Sequence, residues 1–289
     1  MDIIQAIVSG VLLGGLYALI GLGMSLIFGI MKLTNLAHGD LMICGTYICM
    51  VLAANFTGNI FLALLITIGV MVLLGFIIQN GLVNRVIDKG SGPSLLVTFG
   101  ISIIIQNLLL QVFGADAQAV PNTFSSSNVI STQYLTISSI YLLNFIVAVG
   151  VIVFLSIIMK KTYFGMAIRA SSDDATAAEL MGVNTKRMYA LTFALAMATA
   201  AVAGLLVGMT FVFYPSTGTN YLIIAFGVVV IGGLGSLMGT LVGGIILGLA
   251  QLLGGYFFGT GWQLVVAYIV LLVILALRPQ GLLSKAVRK

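Results

Sequence analysis

The sequence predicts an all-α fold, a polytopic transmembrane bundle of about 8–9 spans, and three observations carry that prediction. Of 289 residues, 61% are hydrophobic and 7% charged, against roughly a quarter charged in a soluble domain. Apolar runs close to the ~20 residues that a helix needs to cross hydrocarbon recur along the whole chain. Runs such as Leu62 to Ile78 do not alternate, as the strands of a transmembrane barrel would.

The first run, 3–30, follows Asp2 rather than a basic n-region and has no stop for cleavage, so it reads as a span and not a signal peptide. The second, 36–54, opens on His38-Gly39-Asp40 and holds Cys44 and Cys49. That cysteine spacing builds neither a metal site nor a disulfide framework and leaves both as small buried apolar groups. Runs 60–83, 94–113, 138–159 and 191–213 follow. The next, 219–234, is short and breaks at Gly232-Gly233-Leu234-Gly235-Ser236, so it and 36–54 are each candidates for half-helices. Runs 236–256 and 262–277 complete nine candidate crossings, with Trp262 beside Tyr256 as an interfacial anchor.

Charge sets the orientation. The twelve Lys and Arg fall into four segments: Lys32; Arg85 and Lys89; Lys160, Lys161, Arg169, Lys186 and Arg187; then Arg278, Lys285, Arg288 and Lys289. Basic residues collect on the cytoplasmic side, and nine crossings place all four segments there with the N-terminus outside. The chain then reads as a single transmembrane domain over 1–289, with a cytoplasmic loop at 160–190 and an external loop at 114–137 that lacks Lys and Arg. Cysteines placed at Ser126 and Ser284 are expected to label from outside and from inside, respectively.

The chain has 35 glycines, where average usage gives roughly 20 in this length. Gly10/Gly14, Gly204/Gly208, Gly239/Gly243 and Gly244/Gly248 make small-xxx-small faces, which let helices approach closely where lipid offers no hydrophobic drive. Two glycine-interrupted regions, Gly29 to Gly45 and Gly227 to Gly244, point to an inverted repeat around a central path. Asn35, His38, Gly233 and Ser236 are accordingly the candidate pathway residues, because polar groups inside a membrane are costly to keep. One His in the chain leaves no His-based metal site.

The 160–190 loop is too polar for the bilayer and too long for a turn. Ser171 and Asp174 are spaced as a capping box, and Gly182 can stop a helix as the left-handed C′ residue, with Val183 reaching Ala178. A helix over about 172–181 follows, with Ala175, Ala178 and Met181 as an apolar stripe suited to a partner's groove.

Phe164-Gly165-Met166-Ala167-Ile168-Arg169-Ala170, followed by Ala178-Glu179-Leu180-Met181-Gly182-Val183-Asn184, resembles the ATPase-docking loop of ATP-binding-cassette importer permeases. Gly14-Gly15-Leu16-Tyr17-Ala18-Leu19-Ile20-Gly21-Leu22-Gly23, Thr34-Asn35-Leu36-Ala37-His38-Gly39-Asp40 and Gly232-Gly233-Leu234-Gly235-Ser236-Leu237-Met238-Gly239 resemble the branched-chain amino acid permeases of that class. Met238 stands where a proline is frequent in that family, and the loop helix is more acidic, with Asp173, Asp174 and Glu179.

The resemblance implies a non-catalytic membrane subunit of an ATP-driven importer of leucine, isoleucine and valine, in a prokaryotic cell membrane. Gly165, Arg169, Asp173, Ala178, Glu179 and Gly182 would couple it to the ATPase. Its implied partners are a second related permease, two cytoplasmic ATPase subunits and an extracytoplasmic solute-binding protein, with lipid around the bundle and no nucleic acid. No cofactor is expected on this chain, and MgATP is expected on the ATPases. Related systems carry urea, amides or aromatic compounds. An enzyme is disfavoured by the lack of G-x-x-x-x-G-K-[ST], H-E-x-x-H and G-x-S-x-G. A stand-alone carrier or channel would more often hold carboxylates mid-span.

Overall fold

The computed structural model describes residues 2–121, 128–132, 135–278 and 280–283. Its helices are α1 (Ile3–Met31), α2 (His38–Leu52), α3 (Ile60–Gly81), α4 (Ser91–Phe113), α5 (Ser139–Lys161), α6 (Tyr163–Asp173), α7 (Ala175–Leu180), α8 (Thr185–Thr210), α9 (Gly218–Gly232), α10 (Leu237–Phe258) and α11 (Gln263–Leu277). Eight helical stretches are long and apolar enough to cross a membrane, and α2 is not among them. A two-stranded antiparallel hairpin, β1 (Asn128–Thr132) and β2 (Leu135–Ser138), precedes α5 and departs from the all-helical expectation. Ser126 and Ser284 lie outside the described residues.

Helix directions follow from what each end touches. Gln5 near the start of α1 donates to the Thr136 carbonyl of β2, whereas the Gly29 carbonyl near its end accepts from Ser172 in α6. α1 therefore runs from the hairpin end to the α6–α7 end. The chain next turns back through a non-helical segment, 32–37, that ends in a turn at 36–37, and the His38 side chain reaches back along α1 to the Ile20 carbonyl, 3.0 Å from Nε2. α2 then carries the chain outward and ends in a π-helical turn at Ala53–Thr57. The ninth passage is thus part non-helical chain and part helix, as the polar opening of 36–54 suggested. With it, every described Lys and Arg lies at the α6–α7 end, which the positive-inside rule assigns to the cytoplasm.

An impermeant thiol reagent checks this directly. With Cys44 and Cys49 replaced by Ala, Asp116→Cys is expected to react in intact cells and Met181→Cys only after the membrane is opened; the reverse pattern would overturn the orientation.

The core is α1, α2, α8 and α9, ringed by more exposed helices. α1 packs along α10, and α8 packs along α3. All four small-xxx-small pairs serve such contacts. A Cβ on Gly14 would come within 2.5 Å of Ile245 Cα, one on Gly248 within 2.5 Å of the Gly10 carbonyl, one on Gly204 within 2.6 Å of the Met42 carbonyl, and one on Gly243 within 2.3 Å of the Val228 carbonyl.

An inverted arrangement is present, but its halves differ from those expected. The counterpart of α1, the irregular 32–37 and the 15-residue α2 is α8, the connection 211–217 with its 3-10 turn at Pro215–Thr217, and the 15-residue α9, running the opposite way. α2 lies on α8 as α9 lies on α1, and α2 meets α9 at the centre. Glycine content misdirected the pairing, because glycine marks close packing as readily as symmetry. Gly227 to Gly244 is instead the α9–α10 connection, and it meets the first region where Gly29 faces Gly235.

The cytoplasmic loop also differs in its boundary. The Ser171 hydroxyl donates to the Ala167 carbonyl one turn back, so α6 continues through it; the chain breaks at Asp174, whose side chain accepts from Ala177 N–H and starts α7. The stop is as expected. Gly182 has φ +84°, Val183 N–H reaches the Ala178 carbonyl and Gly182 N–H the Glu179 carbonyl, the two bonds of a Schellman ending.

Candidate functional site

Two regions gather polar chemistry: the break before α2, and the cytoplasmic α6–α7 elbow.

At the break, the irregular backbone of 32–37 must satisfy polar groups without a helix, since water is scarce at that depth. Asn35 contributes one bond: 2% exposed, its Oδ1 accepts from Ala37 N–H. α4 contributes another. Ser94, Thr98, Ser102 and Gln106 recur every fourth residue and so line one face of α4. The Thr98 hydroxyl oxygen accepts from Leu36 N–H at 3.3 Å, the Ser102 hydroxyl donates to Asp40 Oδ2, and Gln106 Nε2 donates to Asp40 Oδ1 and to Thr219 in α9, each at 3.0 Å. Asp40, only 1% exposed, also lies in the first turn of α2 beside the first turn of α9. Two helix N-termini thus face it, which favours an acid there. This four-residue polar period was visible in the sequence and was the signal to follow from Asp40; reading α4 only as an apolar run concealed it.

His38 is buried, with Nε2 bonded to the Ile20 carbonyl. Its Cε1 lies against Gly23, where the Thr199 hydroxyl also approaches. His38 Nδ1, Asn35 Nδ2 and Ser25 Oγ are buried without a protein partner among the described residues. Gly233 and Ser236 are not brought to this cluster. They sit at the cytoplasmic end of α9 and α10, where Gly233 packs against Gly281 beneath the C-terminal segment and Ser236 caps α10 by accepting from Gly239 N–H at 3.0 Å. Of the four expected pathway residues, the structure therefore gathers Asn35 and His38 and leaves the other two apart.

At the elbow, Thr162 caps α6 by accepting from Gly165 N–H, and Gly165 is pressed against the end of α5, with Met159 backbone where its Cβ would be. Arg169 and Asp173 are exposed on α6. Ala178, 4% exposed, faces inward, whereas Leu180 and Met181 are each 85% exposed at the tip. The exposed apolar group at this tip is the Leu-Met pair; of the expected Ala175, Ala178, Met181 stripe, Ala178 is turned inward. The Glu179 carboxylate is held by the Thr185 hydroxyl at the start of α8, and Lys186 pairs with Asp88 at 3.0 Å across the cytoplasmic surface. Both sides of that pair are exposed, so it orients more than it stabilises. The elbow is in this way fastened to α5 and to two core helices, α1 and α8.

Comparison with known proteins supplies what geometry alone does not. The family described as branched-chain amino acid transport system / permease component matches residues 6–275. The high-affinity branched-chain amino acid transport system permease protein LivH of Escherichia coli K12 is 32% identical, with 98% of this chain and 96% of LivH covered. BraD of Pseudomonas aeruginosa, a permease protein of the same description, is 31% identical over the same shares. Among solved structures, PsaBC from Streptococcus pneumoniae in complex with Fab superposes with a TM-score of 0.51 at 14% identity, covering 96% of this chain and 91% of that one. The last likeness is one of fold.

Proposed function

The chain belongs to the branched-chain amino acid transport permease family, and from that premise we propose that it is the membrane-spanning, non-catalytic subunit of an ATP-driven importer of leucine, isoleucine and valine. The observation that carries the reading is the exposed Leu180-Met181 tip on an elbow anchored to α5 and to the core helices α1 and α8.

In this reading the whole of 1–289 is one permease domain, with 160–190 as the coupling loop and 114–137 facing outside. A cytoplasmic ATPase receives Leu180 and Met181 in a surface groove. Gly165 lets α6 lie close on α5, Gly182 ends α7 and aims the chain into α8, and Glu179 ties α7 to that junction. Arg169 and Asp173 give the exposed face of α6 its charged contacts, and Ala178 seats α7 on the chain's own bundle. Two such ATPases bind and hydrolyse MgATP. A second, related permease completes the path, and an extracytoplasmic solute-binding protein delivers the amino acid. Asn35 and His38, held where the chain crosses as irregular backbone, are the pathway-side residues. Gly233 and Ser236 act at the inner end, where α9 turns into α10.

The test is uptake by the complex with its ATPases and binding protein, sealed in vesicles. Leucine is expected to accumulate only with MgATP and to be competed by isoleucine and valine. Uptake indifferent to ATP, or blind to those competitors, would overturn the reading.

A further inference from the structure

The outer end of α4 borders a cleft of about 170 Å³, walled by Gln106, Asn107, Leu110, Tyr214 and Pro215 among others. Its two amides are oriented from behind. Gln106 Nε2 donates to Asp40 Oδ1 and to Thr219 Oγ1, which uses both of its hydrogens, so the nitrogen faces inward and Oε1 remains as the acceptor. Asn107 Nδ2 donates to the Ile103 carbonyl of its own helix at 2.8 Å, which leaves Oδ1 free in the same way. Each amide therefore offers the cleft an acceptor oxygen, Gln106 with both nitrogen hydrogens already used and Asn107 with one of its two.

Three further features agree. Tyr214, 40% exposed, adds an aromatic wall, a favourable neighbour for a cation. Asp40 stands directly behind Gln106 and fixes its amide by accepting from Nε2. The outer ends of the helices and their connections carry Asp2 and Asp116 and no Lys or Arg among the described residues. The two acceptor oxygens beside an aromatic wall suit a donor-rich cation. Leu110 and Pro215 add an apolar side. Its volume is below the roughly 300 Å³ at which sites begin to enclose a drug-sized ligand, so it fits one end of a small solute.

We propose that this cleft receives the primary ammonium group of the amino-acid cargo on the outer side of the path, with Gln106 Oε1 and Asn107 Oδ1 as its acceptors. The proposal deepens the import function above and rests on it. Asn107 is the position to test, because its side chain is exposed and bonds only within α4.

Leucine uptake is measured in vesicles holding the whole complex, with Asp, Leu and Lys placed in turn at Asn107. Uptake is expected to follow charge: Asn107→Asp keeps the acceptor and retains most of the rate, Asn107→Leu is intermediate, and Asn107→Lys loses more than tenfold. Co-purification of the complex checks assembly in each. Val112→Lys puts the same charge on α4 outside the cleft, at a position 71% exposed, and is expected to stay within twofold of wild type. Equal uptake by Asn107→Asp and Asn107→Lys, or a matching loss in Val112→Lys, would overturn the subsite while wild-type leucine uptake left the import reading standing. A wild type that imports no leucine would remove both. The series is repeated without phosphatidylethanolamine, whose headgroup carries the same ammonium; a defect confined to vesicles containing that lipid would assign the cleft to lipid and overturn the cargo proposal.

Discussion

Gly182→Val is expected to insert and accumulate normally yet to lose stimulated ATP hydrolysis and ATPase co-purification. Nothing lies within 4 Å of the position a Cβ would take, so a larger side chain meets no clash. The whole penalty comes from φ +84°, which a β-branched residue adopts at a cost of about 1–3 kcal/mol. The cheapest relief is to give up the two bonds that end α7, Val183 N–H to the Ala178 carbonyl and Gly182 N–H to the Glu179 carbonyl. Leu180 and Met181 would then point elsewhere. Since 1.4 kcal/mol is a factor of about ten in an equilibrium, docking is expected to weaken tenfold or more. Gly182→Asn, which tolerates the left-handed region, should retain most coupling, with Gly182→Ala between the two. Lys89→Ala, exposed and outside the elbow, serves as the surface control. Undiminished ATPase binding in Gly182→Val would remove the docking role from this elbow.

Gly39→Ala is expected to fail earlier, at folding. A Cβ on Gly39 would fall 1.9 Å from the Gly218 carbonyl oxygen and within 3 Å of two more backbone atoms of α9. No side chain can swing aside, so α2 and α9 must separate where the inverted halves meet. Overpacking a core costs about 1–3 kcal/mol when side chains can yield, and here the backbone must move, so the loss should exceed that range. The variant should show little folded protein in the membrane and a strongly lowered Tm, and Gly218→Ala should repeat it, because its Cβ would lie 2.2 Å from Asp40 Oδ1. Gly150→Ala, on an exposed stretch of α5 with nothing within 4 Å, is expected to gain about 0.5–1 kcal/mol. Normal abundance and thermal stability in Gly39→Ala would mean the α2–α9 crossing is looser than described.

What could be read from the sequence was what depends on near neighbours or on composition. The stop at Gly182 followed from a local rule and is met bond for bond, and the small-xxx-small pairs pack as their spacing implies. The start of the coupling helix was misplaced because Ser171 and Asp174 are both competent caps. Only the surrounding fold decides that Ser171 turns its hydroxyl back on Ala167 while α6 runs on. The irregular return at 32–37 was beyond local reading, since its Leu36 N–H is satisfied by Thr98 of α4, 62 residues away. The opening His38-Gly39-Asp40 signalled an irregular crossing, but not which helix would complete it. Asn35 and His38 drew notice because polarity in a membrane is conspicuous. Gln106 and Asn107 were passed over because amides near a helix end resemble an ordinary interfacial fringe.

The pairing of α1 with α10 also governs how the protein is made. Tyr17 donates to Gln251, a partner 234 residues further on, so at the usual 5–20 residues per second the first helix leaves the ribosome roughly 10–50 s before its partner exists. Through that interval the glycine face of α1 has only lipid or the insertion machinery against it, and lipid cannot fill a groove shaped for backbone. α3 waits in the same way for α8, over a shorter stretch of synthesis. Neither half can finish its packing before the other arrives, so nascent chains halted before α10 leave α1 without the helix it was shaped to meet.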